Sequence, residues 1–133
     1  MESTTDLVQR GLAAFGRGDI PGLLELCADD VHVVFHDRGR TIPFAGTWDG
    51  KDRVLEYFRI IGDNLDVLKW ETQRIVADRN HVVAFVDVDF RGKRSAKAAG
   101  ETQAALDFTA AGGKITGWQV YADTAAWEKV LRP

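Results

Sequence analysis

Two acidic side chains in the middle of the chain are spaced so that they could act together as an acid and a base. Asp87 and Asp89 alternate with valine and phenylalanine, so in an extended strand both carboxylates project from one face and the apolar side chains from the other. If the acidic face lines an apolar interior, burial raises the pKa of each carboxyl and suits it to acid–base catalysis. If it faces water, the two acids are the ordinary polar side of a half-exposed strand. Both alternatives stay open at this point.

The three histidines, His32, His36 and His81, do not have the spacing of a metal site. His32 and His36 lie four residues apart, which in a strand places them on one face with Cα atoms roughly 13 Å apart, too far to hold one ion together. Their parity is opposite to that of Val33 and Phe35, and this predicts that they lie on the outer face of a sheet. We therefore expect no metal, and we expect no cofactor.

Composition limits the chain to one small globular domain over residues 1–133. Its formal net charge is −3 and neither sign of charge forms a block, which argues against nucleic-acid binding. The basic cluster Lys93, Arg94 and Lys97 is interrupted by small residues, as is typical of a solvated loop.

Cys27 is the single cysteine and lies in an apolar stretch, which indicates a core residue. With no secretion signal and no bilayer-spanning apolar run, we expect no membrane segment and a cytoplasmic location.

Helical periodicity predicts three helices in the first half of the chain. The first ends in the glycines at 16–18, the second begins near Asp19 and buries Cys27, and the third runs from about Lys51 to Ile61. These helices must cover one face of whatever sheet follows.

Alternation of apolar and polar residues predicts about five strands. They lie at 31–36 and at about 67–77, 81–91, 101–110 and 114–122. Consecutive strands with short links form an antiparallel meander, so the predicted fold class is α+β: a curved antiparallel sheet, shaped like a cone or half barrel, capped by the three helices. The tail at 124–131 adds a last helical turn or two. The mouth of such a cone is where a small-molecule pocket forms.

The segment at 37–49 is predicted to be a long loop, and it is unusually apolar for one. Ile42, Phe44 and Trp48 are too hydrophobic for a solvated connection, so we expect the segment to close over something. The aromatic side chains expected to line the pocket are Phe35, Trp48, Phe58 and Tyr121.

Several short motifs, taken in order, resemble one superfamily. They are Gly18-Asp19 after the first helix, Leu23-Leu24-x-Leu26, Ala28-Asp29-Asp30-Val31 at the entry to a strand, Gly46-x-x-x-Gly50 before a helix, and the late Gly113-Lys114-Ile115-Thr116-Gly117-Trp118…Tyr121-x-Asp123. Over nearly the whole chain they resemble the nuclear-transport-factor-2-like superfamily, and within it the SnoaL-like polyketide cyclases, ketosteroid isomerase and limonene epoxide hydrolase. The superfamily includes both enzymes and binding modules, so the resemblance implies the fold more specifically than the function. It also implies a homodimer formed through the outer face of the sheet.

Catalytic residues carry over from these relatives only in part. Two essential positions of ketosteroid isomerase fall on Phe35 and Ala105, so its mechanism is absent. The acids of the epoxide hydrolase match Asp87 and Asp123, but the arginine that should bridge them is replaced by Phe85. In the SnoaL-like cyclases a single late-strand aspartate acts as acid and base, and Asp123 resembles it.

Asp123 also has a structural alternative, because it directly precedes the tail helix and could cap it. Two functions therefore remain. The first is a cofactor-independent acid–base enzyme (an isomerase, cyclase or hydrolase-like protein) that acts on a small hydrophobic molecule through Asp123, with Asp87 as the second candidate. The second is a non-catalytic protein that binds a small apolar molecule or serves as a dimeric interaction module. They differ in which of Asp87, Asp89, Asp107 and Asp123 face the pocket.

Overall fold

The computed structural model describes residues 2–39 and 41–133, and within them it contains four helices and six strands. In chain order these are α1 (Thr4–Gly16), α2 (Ile20–Glu25), β1 (Cys27–Phe35), β2 (Gly46–Asp49), α3 (Lys51–Asn64), β3 (Leu65–Asp78), β4 (His81–Gly92), β5 (Ala98–Ala111), β6 (Lys114–Ala122) and α4 (Thr124–Leu131). Among the helices of these described residues, none is both long enough and apolar enough to cross a membrane.

The six strands form one curved, unclosed sheet in the order β2-β1-β6-β5-β4-β3. The last four strands form the predicted antiparallel meander, and β2 is also antiparallel to β1. One pair departs from the prediction: β1 and β6 run parallel, with Val33 opposite Trp118. The helices cover the inner face, so the predicted α+β class with a curved sheet is confirmed.

Local side-chain chemistry sets where the first two helices begin and end. The Ser3 hydroxyl accepts the Asp6 N–H at 3.1 Å and caps α1. The chain leaves α1 through Gly18, whose φ of +76° is a left-handed conformation that glycine adopts without strain. Asp19 then caps α2 by accepting the Gly22 N–H at 2.9 Å. Both start signals are visible in the sequence.

The second helix is shorter than predicted. It ends at Glu25, and Cys27 belongs to β1, where it pairs with Ile115 of β6. The thiol is still buried as expected, but in the sheet rather than in a helix. The apolar side chains before Cys27 fit either structure, and the pairing with a distant strand decides between them.

The segment at 37–49 differs from the loop prediction in two ways. Its last residues form the short strand β2, which is too brief to show a period of two. Ile42 and Phe44 are buried, and the Trp48 indole N–H donates to the Phe44 carbonyl at 3.2 Å. The Phe44 ring packs edge-on against Trp127, so this segment closes one end of the cone with its own side chains.

The third helix continues beyond its predicted end at Ile61. It runs through Gly62 to Asn64, whose side-chain amide donates to the Ile60 carbonyl at 2.8 Å. A single glycine costs a helix only about 1 kcal/mol, so Gly62 does not end it.

Candidate functional site

An apolar cavity lies between the helices and the concave face of the sheet. Its volume is about 60 Å³, counted as the space open to the centre of a water-sized sphere. Phe15 of α1 and Phe58 of α3 form its helical side, and Trp118 and Val120 of β6 contribute to the sheet side. Trp127 of α4 also lines it. We call this space the inner cavity.

The lining of the inner cavity carries no charge among the described residues. Its one ionisable side chain is Tyr57, and burial raises the pKa of that phenol well above its usual range. The hydroxyl therefore stays neutral at all physiological pH values. Since a charged group transferred here would have no counter-charge, the site is suited to neutral, apolar molecules.

Trp70 of β3 forms part of the wall of the inner cavity. Its indole Nε1 is buried and donates to no acceptor in the described part of the chain. The Phe15 ring lies against the indole edge to face, with the ring centroids 4.5 Å apart and the planes at 64°. By contrast, the Trp48 indole has a full hydrogen bond.

Only two of the four predicted pocket residues line the inner cavity. Phe35 and Phe58 do so. Tyr121 does not, because Val120 beside it faces inward, and strand alternation turns Tyr121 to the outer face, where it is 48% exposed. Trp48 does not either, since its indole is held against Phe44 at the closed end of the cone. Trp48 and Tyr121 therefore lie outside the inner cavity of this structure, and a role for either in binding a ligand stays a prediction.

The acids of β4 and β5 lie on the outer face of the sheet, and their alternating neighbours lie in the core. Asp87 accepts from the Gln103 side chain at 3.2 Å, and the Asp89 carboxylate accepts the Glu101 N–H at 2.9 Å. Asp107 pairs with His81 at 2.9 Å. These three carboxylates therefore fit the second alternative, the polar side of a half-exposed strand.

Asp123 is exposed and lies at the start of α4. Its Oδ1 accepts the Ala126 N–H at 3.3 Å, which is the capping arrangement. It does not line the inner cavity. A catalytic role for Asp123 or Asp87 stays a prediction, and neither residue lines the inner cavity.

Two of the predicted site residues meet elsewhere, in an open groove on the outer face. Asp87 and Tyr121 line it together with Arg74, Phe85 and Gln103. The Arg74 guanidinium lies over the Phe85 ring, 4.6 Å from its centroid. Asp87 and Arg74 thus each have a partner within the groove, Gln103 for the carboxylate and the Phe85 ring for the guanidinium. Such contacts are typical of a solvated sheet surface.

The histidines lie exposed on the outer face, and each has its own neighbour. His32 contacts Asp49, and His36 bonds Gln119 at 2.8 Å while stacking on Tyr121. Across residues 2–39 and 41–133, no three histidine, cysteine, aspartate or glutamate side chains come together in a way that could hold a metal ion.

A family model described as a SnoaL-like domain matches residues 8–118. The chain belongs to the SnoaL-like domain family. No curated protein matches the sequence.

Solved structures resemble this SnoaL-like domain over almost its entire length. An NTF2-like protein of unknown function from Burkholderia pseudomallei is 19% identical, with 100% of both chains covered and a TM-score of 0.90. An NTF2-like protein from Burkholderia xenovorans is 24% identical over 97% of this chain and 95% of its own, with a TM-score of 0.84. TerC, crystallised with polyporic acid, is 20% identical over 96% and 97%, with a TM-score of 0.82. At these identities the likeness shows the fold.

Most of the wall of this SnoaL-like domain's cavity lies outside the residues predicted from the sequence. Four aromatic residues line it in addition to the predicted ones: Phe15, Trp70, Trp118 and Trp127. For Trp118 a signal existed, because it has the same parity as Val120 on β6, and inward residues of one strand share a parity. For Trp70 there was no such signal, because a register shift between Val67 and Lys69 interrupts the alternation of β3 just before it.

Proposed function

We propose that this SnoaL-like domain binds a small apolar molecule in the inner cavity. The observation that carries the proposal is the cavity itself, which persists inside a core otherwise filled by large side chains. Unfilled space of this size costs a fold on the order of 1 kcal/mol, and a ligand that fills it recovers that energy. Cavities with apolar walls stay dry and accept apolar guests.

The character of the lining favours binding over acid–base catalysis. The described lining residues include no carboxylate, imidazole or ammonium group that could move a proton. Asp123, the aspartate expected to act as acid and base, lies outside the cavity, where one of its carboxylate oxygens accepts the Ala126 N–H. The fold neighbour TerC was crystallised with polyporic acid, so one protein of this fold has been found with a small organic molecule.

Toluene is a suitable first probe because it is neutral, apolar and small. We expect it to raise the unfolding temperature of the protein in proportion to the logarithm of its concentration above the dissociation constant. We also expect it to shift the methyl NMR signals of Leu106 and Val88, which line the cavity.

Two neighbouring alanines of β5 provide a matched pair of variants. Ala104 is buried and lines the inner cavity, whereas Ala105 faces outward and is half-buried. Ala104→Leu fills the cavity and should abolish the toluene effect, and Ala105→Leu should leave it intact. If toluene up to its solubility limit changes neither the unfolding temperature nor the methyl signals of the unmodified protein, the proposed function is wrong.

A further inference from the structure

We propose that the ligand of the inner cavity is an elongated molecule, with a hydrocarbon end inside the cavity and an uncharged polar end, such as a hydroxyl group, in a neighbouring depression of the surface. The inference rests on the proposed function, because it names the chemical class of ligand for the same cavity. The hydrocarbon chain is longer than the cavity can hold, so the ligand passes between α1, α3 and β3.

The depression lies directly outside the inner cavity, between the C-terminal ends of α1 and α3 and the first residues of β3. We call it the outer depression. The two spaces share five lining residues: Phe15, Phe58, Ile61, Val67 and Trp70. A single layer of side chains therefore separates them, and Val67, which belongs to this layer, is 39% exposed.

The outer depression has apolar side chains where a solvated surface is ordinarily polar. Leu68 is 49% exposed and lies beside the exposed Val67. Ile20 of α2, which is partly exposed, lines the same depression. Contiguous apolar surface marks an interaction site or a ligand-binding groove. Because this surface continues into the inner cavity, a molecule that enters the cavity is the occupant that buries both.

The volume of the inner cavity limits how much of the ligand lies inside. Its 60 Å³, counted for the centre of a water-sized sphere, corresponds to about four to six water-sized groups. A compact ring of the size of toluene is near that limit. A chain of about eight carbons or more exceeds it, so its outer end must lie in the outer depression.

The layer between the two spaces can open without the loss of backbone hydrogen bonds. In the described part of the chain, no backbone hydrogen bond joins residues 67–70 to α1 or α3. β3 is an edge strand that pairs only with β4, and a register shift between Val67 and Lys69 interrupts that pairing. Rotation of the Phe15 and Phe58 side chains, whose ring centroids lie 5.6 Å apart, is the movement that admits the chain.

The polar end of the ligand lies outside because the inner cavity is apolar. A hydroxyl group placed within it would lose its hydration, whereas in the outer depression it keeps contact with water. The charges at the rim of the depression are balanced: Lys69 lies 3.6 Å from Glu71, and Lys93 lies 3.8 Å from Asp66. With each ammonium beside a carboxylate, the rim favours an uncharged polar end over a charged one.

A series of primary alcohols tests how far the chain extends. We expect the dissociation constant to fall about two- to fourfold for each CH₂ group added from 1-hexanol to 1-decanol, because those groups are buried in the outer depression. An occupant confined to the inner cavity gains nothing over this range, so constants that level off after 1-hexanol overturn the inference. Decanoate should bind no more tightly than 1-decanol, and tighter binding would overturn the uncharged end.

Two exposed leucines provide a matched pair of variants. Leu68 lines the outer depression, whereas Leu55 of α3, which is 41% exposed, lines neither space. Leu68→Ser should weaken the binding of 1-decanol about three- to tenfold and leave the binding of toluene nearly unchanged. Leu55→Ser should change neither. Equal effects of the two substitutions on 1-decanol would contradict the proposed path of the chain.

NMR of the unmodified protein separates a ligand from the competing occupant, a second copy of the chain. The methyl signals of Leu68 should shift with 1-decanol and stay constant with toluene, whereas those of Val88, inside the cavity, should shift with both. Leu68 signals that move with protein concentration and not with 1-decanol would assign the outer depression to a contact between copies, and the inference would be wrong.

The outcomes also separate this inference from the proposed function. If toluene binds and 1-decanol binds no more tightly than 1-hexanol, the elongated ligand is disproved while binding in the inner cavity stands. If neither toluene nor any of the alcohols has an effect, the proposed function fails, and this inference fails with it.

Discussion

Asp123 accepts the backbone N–H of Ala126 through its Oδ1, at 3.3 Å, and so closes the first turn of α4. The residue that most resembles a family catalyst is therefore engaged as a helix cap. Helix α4 also contributes Trp127 to the wall of the inner cavity, so the cap stabilises part of the site without touching a ligand.

Removing this cap should lower stability and leave ligand binding intact. Asp123→Ala should reduce the free energy of unfolding by about 0.5–1 kcal/mol, because one N–H of the first turn loses its acceptor. Urea denaturation measures the loss, and Asp123→Asn, which keeps a capping oxygen, should show little of it. A variant Asp123→Asn that is fully stable but loses turnover of a bound ligand would restore the catalytic role.

Two glycines should respond in opposite directions to the same substitution. A Cβ on Gly117 would collide with the backbone oxygen of His32, on the strand that pairs with β6. Gly117→Ala should therefore cost about 2 kcal/mol or more through overpacking. A Cβ on Gly62 of α3 meets nothing, so Gly62→Ala should stabilise the protein by about 0.5–1 kcal/mol.

Thermal or urea unfolding of the two glycine variants side by side checks this prediction. A Gly117→Ala variant as stable as the unmodified protein would mean that the parallel pairing of β1 with β6 is not as close as the structure has it, and a loss at Gly62 would contradict the space around α3.

Removal of the indole N–H should lower the free energy of unfolding more at Trp48, which is hydrogen-bonded, than at Trp70, which has no acceptor in the described part of the chain. Trp48→Phe leaves the buried Phe44 carbonyl without its donor, which should cost about 1–3 kcal/mol beyond the loss of packing. Trp70→Phe removes a donor that has no partner among the described residues, so in the ligand-free protein it should cost less. Urea denaturation of both variants without ligand decides it, and a larger loss for Trp70→Phe would contradict the hydrogen-bonding pattern.

Stability should fall as the pH rises from about 9 to 11. Burial raises the pKa of the Cys27 thiol from 9.0 to about 11, against a smaller opposing effect of Lys51 and Lys114. Between these pH values the thiol of the unfolded protein has lost its proton while that of the folded protein keeps it. The unfolded state therefore binds fewer protons, and raising the pH stabilises it relative to the folded state. The expected loss is on the order of 1–2 kcal/mol.

The control for this pH effect is Cys27→Ala. It should flatten the decline between pH 9 and 11, although its stability at pH 7 will also differ. An unchanged slope would assign the decline to other groups, among them Tyr57, whose pKa burial also raises.

The homodimer through the outer face of the sheet is still a prediction. That face carries Phe85 and Tyr121 among polar side chains. Sedimentation velocity at micromolar concentration should show twice the chain mass of 14.7 kDa, and Phe85→Lys should return the protein to a monomer. A single 14.7 kDa species of the unmodified protein would disprove the dimer.

The parts of the fold that depend on local chemistry could be predicted from the sequence. Asp19 caps the second helix at the predicted place, and the alternation of Val86 and Val88 with Asp87 correctly predicts two opposite faces, of which the structure buries the one with the valines. These features depend on residues close to one another in the chain.

The features that failed depend on contacts between distant residues. Cys27 lies in a strand because it pairs with Ile115, and the residues near Cys27 in the chain give no indication of this pairing. Trp70 lines the cavity together with Val67, three positions earlier, because a register shift between Val67 and Lys69 interrupts the alternation. Tyr121 lies outside the inner cavity for a simpler reason: it is the neighbour of the inward-facing Val120, and adjacent residues of a strand point to opposite faces.

The pairing of β1 with β6 dictates the order in which the protein can fold. β1 lies inside the sheet, yet its neighbour β6 is the last strand to be made, and the contact between His36 and Gln119 spans 83 positions. Closing so long a loop is entropically costly and slow. A chain emerging from the ribosome thus exposes one unpaired edge of β1 until β6 has been made, and the cavity acquires its walls only when β6 has docked.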